Sequence, residues 1–85
     1  MRYTVIIKES AQKQIAKLPK EYQNKVKKVI LGLEDEARPH GYKKLTGSVN
    51  IYRIRVGIYR IVYEIVNDQL LIYIFDVDHR KDVYR

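Results

Sequence analysis

The sequence predicts an α+β domain: an N-terminal strand, a two-helix hairpin, then a three-stranded antiparallel meander, with the helices on one sheet face. Three observations predict it. A β-branched run, Tyr3-Thr4-Val5-Ile6-Ile7, comes first, and two segments with apolar residues at helical spacing follow. From Ile51 onward the pattern becomes strand-like, punctuated by Gly57 and by Asn67-Asp68.

Each element has its own signal. Ser10 is an N-cap residue type ahead of a short helix whose apolar positions are Ala11, Ile15 and Leu18. Pro19 interrupts that pattern and suits the first position of a second helix. There Tyr22, Val26, Val29, Ile30 and Leu33 make one face, with Lys20, Lys27 and Lys28 mostly away from it and Lys25 at its border. Glu34, Asp35 and Glu36 oppose the helix dipole, so the helix frays there, and Pro39 and Gly41 end it. Residues 40–49 read as a loop. Strands follow over 51–56, 58–66 and 70–77, with reversals at Val56-Gly57 and at Asn67-Asp68.

Eighty-five residues make one domain, 1–85, near the lower size limit for folding without a staple. There is no cysteine to provide a disulfide or a thiolate metal site. The apolar run from Val5 to Ile7 is too short for a secretory core or a membrane span, so a cytoplasmic protein without a membrane partner is the expectation. Seventeen Lys and Arg against ten Asp and Glu give a net charge of +7, which favours polyanionic partners. Eight tyrosines beside one Phe add rings able to stack on bases, although amphipathic core edges use tyrosine as well.

Two helices cover one sheet face and leave the other open. A two-residue loop at Val56-Gly57 sets Arg53 directly across from Arg60, with Arg55 on the same side by alternation. Tyr52, Ile54, Tyr59, Ile61 and Tyr63 then face the helices. Like charges set opposite each other cost up to ~1 kcal/mol, so a shared anion is one reading of the three arginines. Ordinary surface pairs with Glu64, Asp76 or Asp78 are the other. The last strand runs back toward Gly57 and delivers His79, Arg80 and Tyr84 beside the arginines. Taken alone, His79 and Tyr84 also suit a solvated tail.

This inventory suits phosphodiester cleavage of RNA by its own 2′-hydroxyl. Fixed arginines meet the charge that develops on phosphate, and tyrosine, histidine or lysine moves protons. The acids are scattered and the two histidines, His40 and His79, lack ligand spacing, so no metal or other cofactor is implied.

Three stretches carry a resemblance to a known family. They are "KESAQKQIAKLPKEYQNKVKKVI", then "GYKKLTGSVNIYRIRVGIYRIVYEI" with its K-L-x-G…Y-R-I-R-x-G-x-Y-R-I-x-Y form, and the terminal "HRKDVY". Over essentially its whole length the chain resembles the RelE-type toxins of bacterial and archaeal toxin–antitoxin systems, within the RelE/ParE superfamily. The resemblance implies a microbial-ribonuclease-like body and a metal-independent endoribonuclease that cuts mRNA in the ribosomal A site. It implies electrostatic roles for Arg53 and Arg55, where the family commonly has lysine, and a grip on the scissile phosphate by Arg60. Arg80 and Tyr84 match the terminal motif, Tyr84 orienting or stacking on the substrate and taking part in proton transfer. His79 is a further acid–base candidate, since histidine ordinarily titrates near neutrality. Lys43 and Lys44, with Lys20, Lys27 and Lys28 on the second helix, are candidate RNA contacts. The implied partners are an acidic RelB-like antitoxin, the ribosome and mRNA, with operator DNA reached only through the antitoxin complex. Two alternatives share the fold: a ParE-like toxin that poisons DNA gyrase, and a non-catalytic member that only binds antitoxin.

Overall fold

The computed structural model describes residues 2–45, 47 and 49–79. Strand β1 (Thr4–Ile7) leads into helices α1 (Glu9–Ala16) and α2 (Lys20–Leu33). Strands β2 (Lys43–Lys44), β3 (Ile51–Val56), β4 (Tyr59–Val66) and β5 (Leu71–His79) complete one sheet of order β1-β5-β4-β3-β2. The helices carry the chain from one sheet edge to the other. The meander then walks back until β5 meets β1 in parallel, the remaining neighbours being antiparallel.

Alternation along the strands builds one core. Ile54, Ile61, Tyr63, Ile65, Ile72, Ile74 and Val77 pack against Ala11, Ile15, Val26, Ile30 and Leu33 of the helices. Each fully buried isoleucine contributes roughly 1.5–3 kcal/mol relative to exposure, so the helix-facing side supplies most of the stability. No helix among the described residues is long and apolar enough to cross a membrane.

Helix starts differ from the sequence expectation. Ser10 does not cap α1, which begins at Glu9 behind Lys8 and has no side-chain cap. Lys8 N–H donates to Ile74 O at 2.8 Å and Lys8 O accepts from Gln12 N–H at 2.9 Å, so the end of β1 itself sets the start of the helix. Pro19 stands one residue before α2, and its carbonyl accepts from the N–H groups of Tyr22 and Gln23. The helix ends at Leu33, just before the acids, and Glu34 instead holds Arg2 at 2.7 Å.

Two corrections concern the strands. The stretch expected to be a loop, 40–49, contains β2, whose Lys43 and Lys44 pair with Arg53 and Tyr52. Two lysines carry no apolar alternation, so the strand left no signal in the sequence. The first reversal is Gly57-Ile58 rather than Val56-Gly57, because Val56 pairs with Tyr59. Gly57 has φ +62°, the left-handed region required at the first central position of a type II′ hairpin turn. A second constraint comes from packing: a Cβ on Gly57 would stand 2.7 Å from Cε1 of Tyr22. At the other reversal, Asn67–Gln69 forms a 3-10 turn and Leu70 takes φ 49°.

Beneath the opposite end of β4, Tyr63 is fully buried and its hydroxyl donates to Ala37 O at 3.0 Å. Its ring stacks on Tyr52 at 6.1 Å, and Arg38 lies 5.3 Å over the Tyr52 ring. The guanidinium of Arg38 donates to the Tyr52 hydroxyl at 3.4 Å, and that bond chiefly raises its pKa. Burial pushes the Tyr63 phenol up to about 12, although the Arg38 charge pulls the other way.

Two outcomes follow from these contacts. Between pH 10 and 12 the unfolded chain loses the Tyr63 proton while the folded chain keeps it, so stability falls as pH rises through that window. Urea unfolding across it will show a decline for the native chain that is shallower by roughly 2 kcal/mol in Tyr63→Phe; parallel declines would contradict this. Gly57→Ala will cost about 1–3 kcal/mol from left-handed backbone strain and the Tyr22 contact. A double variant with Tyr22→Ala will show coupling of about 0.5 kcal/mol or more, whereas strict additivity would place Tyr22 elsewhere.

Candidate anion-binding face

The β3–β4 register decides which charges meet. Arg55 lies across from Arg60, and Arg53 lies across from Val62. Arg53 therefore does not face Arg60 as the sequence suggested, since the turn sits one residue later and shifts the pairing by two. A shift of two preserves parity. Arg53, Arg55 and Arg60 still share the side away from the helices, while Tyr52, Ile54, Ile61 and Tyr63 are buried in the core on the other side. Pairing of Lys43 with Arg53 brings Lys43 to the arginine side, and pairing with Tyr52 turns Lys44 to the opposite side.

The face can be described as rows running across the strands. One row is Arg55, Arg60 and Asp78; the next is Lys43, Arg53 and Val62, with β5 beyond. Arg53 is 9% and Arg60 7% exposed, so these guanidinium groups are embedded rather than waving from the surface; Arg55 is exposed. A partly desolvated guanidinium keeps its charge and offers a planar fork, which makes it an anion receptor of fixed geometry. At the other end of the sheet, Arg2 pairs with Glu34 at 2.7 Å and with Asp35 at 3.7 Å.

Asp78 is one of the acids named above as a possible arginine partner. It sits across from Arg60, but its Oδ1 accepts from His79 N–H at 2.7 Å. Asp76, also named as a possible arginine partner, is occupied elsewhere. Gln14 of α1 donates to its Oδ1 at 2.9 Å and accepts from Val77 N–H at 2.8 Å. β1 pairs with β5 only as far as Ile74, so the Gln14 amide takes over where the strand partner ends and ties the end of β5 to α1. A glutamine at this helix position gives no sequence signal that separates it from a solvated one.

His79 is not brought to the arginine side. It pairs with Tyr59, and its ring meets the Tyr59 ring edge-on at 5.7 Å. Tyr59 in turn meets Tyr22 at 4.9 Å, so an aromatic row props the hairpin end against α2. Tyr59 and His79, together with Gln14, Lys17 and Leu18, line a cleft of about 430 Å³ on the helix side. Lys20, Lys27 and Lys28 are exposed along α2, apart from the arginines. Arg80 and Tyr84 lie outside the described residues. Within the described residues, no three His, Asp or Glu side chains converge as a metal ligand set.

Comparison with known proteins places this geometry in context. Residues 5–84 match the family described as the ParE toxin of type II toxin–antitoxin system, parDE. A candidate toxin RelE1 of Methanocaldococcus jannaschii is 30% identical over 88 residues, covering 100% of this chain and 98% of the relative. A candidate RelE-like toxin protein of Escherichia coli is 36% identical over 89 residues, covering 99% and 92%. A chain of the RelE–RelB complex from Pyrococcus horikoshii OT3 superposes with a TM-score of 0.84 at 29% identity, covering 94% of this chain and 97% of that one. The RelBE2 toxin–antitoxin complex of Mycobacterium tuberculosis gives a TM-score of 0.81 at 28% identity, covering 94% and 100%.

Proposed function

Because this chain belongs to the RelE/ParE family of toxins of type II toxin–antitoxin systems, we propose that it is a metal-independent endoribonuclease cutting mRNA on the ribosome. The observation that carries the proposal is the shared helix-free face of Arg53, Arg55 and Arg60, with Lys43 beside them. A face of this kind binds a backbone phosphate and concentrates positive charge where the reaction builds negative charge.

In this reading the 2′-hydroxyl of the substrate attacks the adjacent phosphorus and the 5′-oxygen leaves. Arg60 grips the scissile phosphate, and Arg53 and Arg55 stabilise its extra charge. Arginine holds its proton at neutral pH, so none of the three serves as the base. Proton transfer is assigned to Tyr84, and Arg80 adds to the phosphate grip. The His79 ring packs against Tyr59 on the other side of the sheet, which favours a supporting role for it at the end of β5 over direct proton transfer. Lys20, Lys27 and Lys28 are free of the core and suited to ribosomal RNA phosphates.

An antitoxin partner is proposed on the strength of the RelE–RelB and RelBE2 complexes that the fold matches. A net charge of +7 fits an acidic segment that orders on binding and shields the arginines. The ParE description of the matching family favours a second reading, a toxin that poisons DNA gyrase without RNA chemistry.

The readings separate in a purified translation system in which mRNA 5′ ends are mapped by primer extension. Cuts within codons are expected, falling about 10²-fold or more in Arg60→Ala and clearly reduced in Tyr84→Phe, with circular dichroism reporting that each variant folds. Intact mRNA together with accumulated cleaved DNA would reject the nuclease in favour of the gyrase poison.

A further inference from the structure

The helix-free face has a second half that the phosphate reading leaves unused. Tyr73 pairs with Glu64 on one side and Ile6 on the other, and Phe75 follows two residues on. Their rings stack with centroids 6.4 Å apart and planes 23° from parallel. Neither belongs to the buried core, whose β5 members are Ile72, Ile74 and Val77. Ile6 beside Tyr73 is 45% exposed. Folding alone gives this aromatic pair no burial partner on the helix side.

A bulge sets Phe75 in place. Val62 pairs with Asp76 and Tyr63 with Ile74, so Phe75 is the extra residue on β5. Bulges re-aim side chains, and this one leaves Phe75 beside Tyr73 at the boundary of the arginine half. Between the two halves stands Val62, 3% exposed yet outside the core cluster, so it is covered from the open side. From Arg53 across Val62 to β5 is two strand spacings, about 10 Å, comparable to the reach from a backbone phosphate to a neighbouring base. Sites for single-stranded nucleic acid combine these two parts, a cationic track and aromatic platforms beside it.

We propose that Tyr73 and Phe75 form a stacking platform for a nucleobase flanking the phosphate held by Arg53, Arg55 and Arg60. The proposal rests on the RNA-directed reading above and deepens it. Stacking accepts any base, with stronger binding of purines through their larger ring area. The platform thus couples cleavage to the presence of an unpaired, splayed base at that position.

The test compares two strands on the full chain by fluorescence anisotropy. One is a labelled, fully 2′-O-methylated hexanucleotide, which cannot supply the attacking hydroxyl; the other is an abasic strand of the same length. The native chain will bind the base-containing strand roughly tenfold tighter. Tyr73→Leu and Phe75→Leu, which retain apolar cover, will shrink that gap to about twofold while leaving abasic binding unchanged. Arg55→Ala will weaken both strands alike. Equal affinity for the two strands, no binding of either, or a gap that survives both leucine variants overturns the platform. Leucine variants that lose antitoxin binding but keep the base preference would assign the surface to the antitoxin and overturn it as well. Base-dependent binding in a chain that leaves translated mRNA intact would reject the nuclease and retain the platform; cleavage without base dependence would do the reverse.

Discussion

Everything that distinguishes this face depends on the pairing of β3 with β4. Gly57 closes the hairpin at φ +62°, and the ring of Tyr22 occupies the space where any larger residue would carry its Cβ. With the turn fixed there, Arg55 must meet Arg60 and Tyr52 must meet Tyr63. Slipping β3 against β4 by one residue would turn Arg53 and Arg55 toward the core and Tyr52 and Ile54 away from it. The register is therefore held by apolar packing on the helix side, and the positive charge on the open side is carried at its expense.

That division of labour explains how so small a domain tolerates embedded cations. The helix-facing side supplies a continuous cluster from Ala11 to Val77. Its stabilisation leaves the other side free to hold Arg53 and Arg60 at low exposure in fixed positions. Fixed positions matter for chemistry, since a preorganised guanidinium needs no rearrangement when charge develops on the substrate. The chain matches relatives of both RelE and ParE description, and a fold does not by itself fix a function. The charge pattern of the open face, rather than the fold, carries the argument for RNA.

Sequence alternation made much of this legible. Strands β3, β4 and β5 are long enough for period-two patterning to stand out, and parity alone put Arg53, Arg55 and Arg60 on one side. Local chemistry was less readable. Gly57 marks a turn but does not say whether it is its first or second central residue, and that ambiguity misplaced Arg53 opposite Arg60. Lys43-Lys44 pairs as a strand only because β3 offers an edge to it. His79 was placed beside the arginines from the direction of the last strand alone, whereas strand parity sends its ring to Tyr59. The bulge at Phe75 lies in the pairing of β4 with β5, and the Gln14 bridge lies where β1 stops, tertiary facts with no local signature.

The central claim is that Arg53, Arg55 and Arg60 act as one receptor for an RNA phosphate. Nitrogen-15 NMR of the arginine Nε–Hε groups, followed while the 2′-O-methylated hexanucleotide is added, tests it most directly. The account predicts that these three signals shift together along one binding curve. Shifts confined to Arg2 and Arg38, with the three unmoved at saturation, would contradict it.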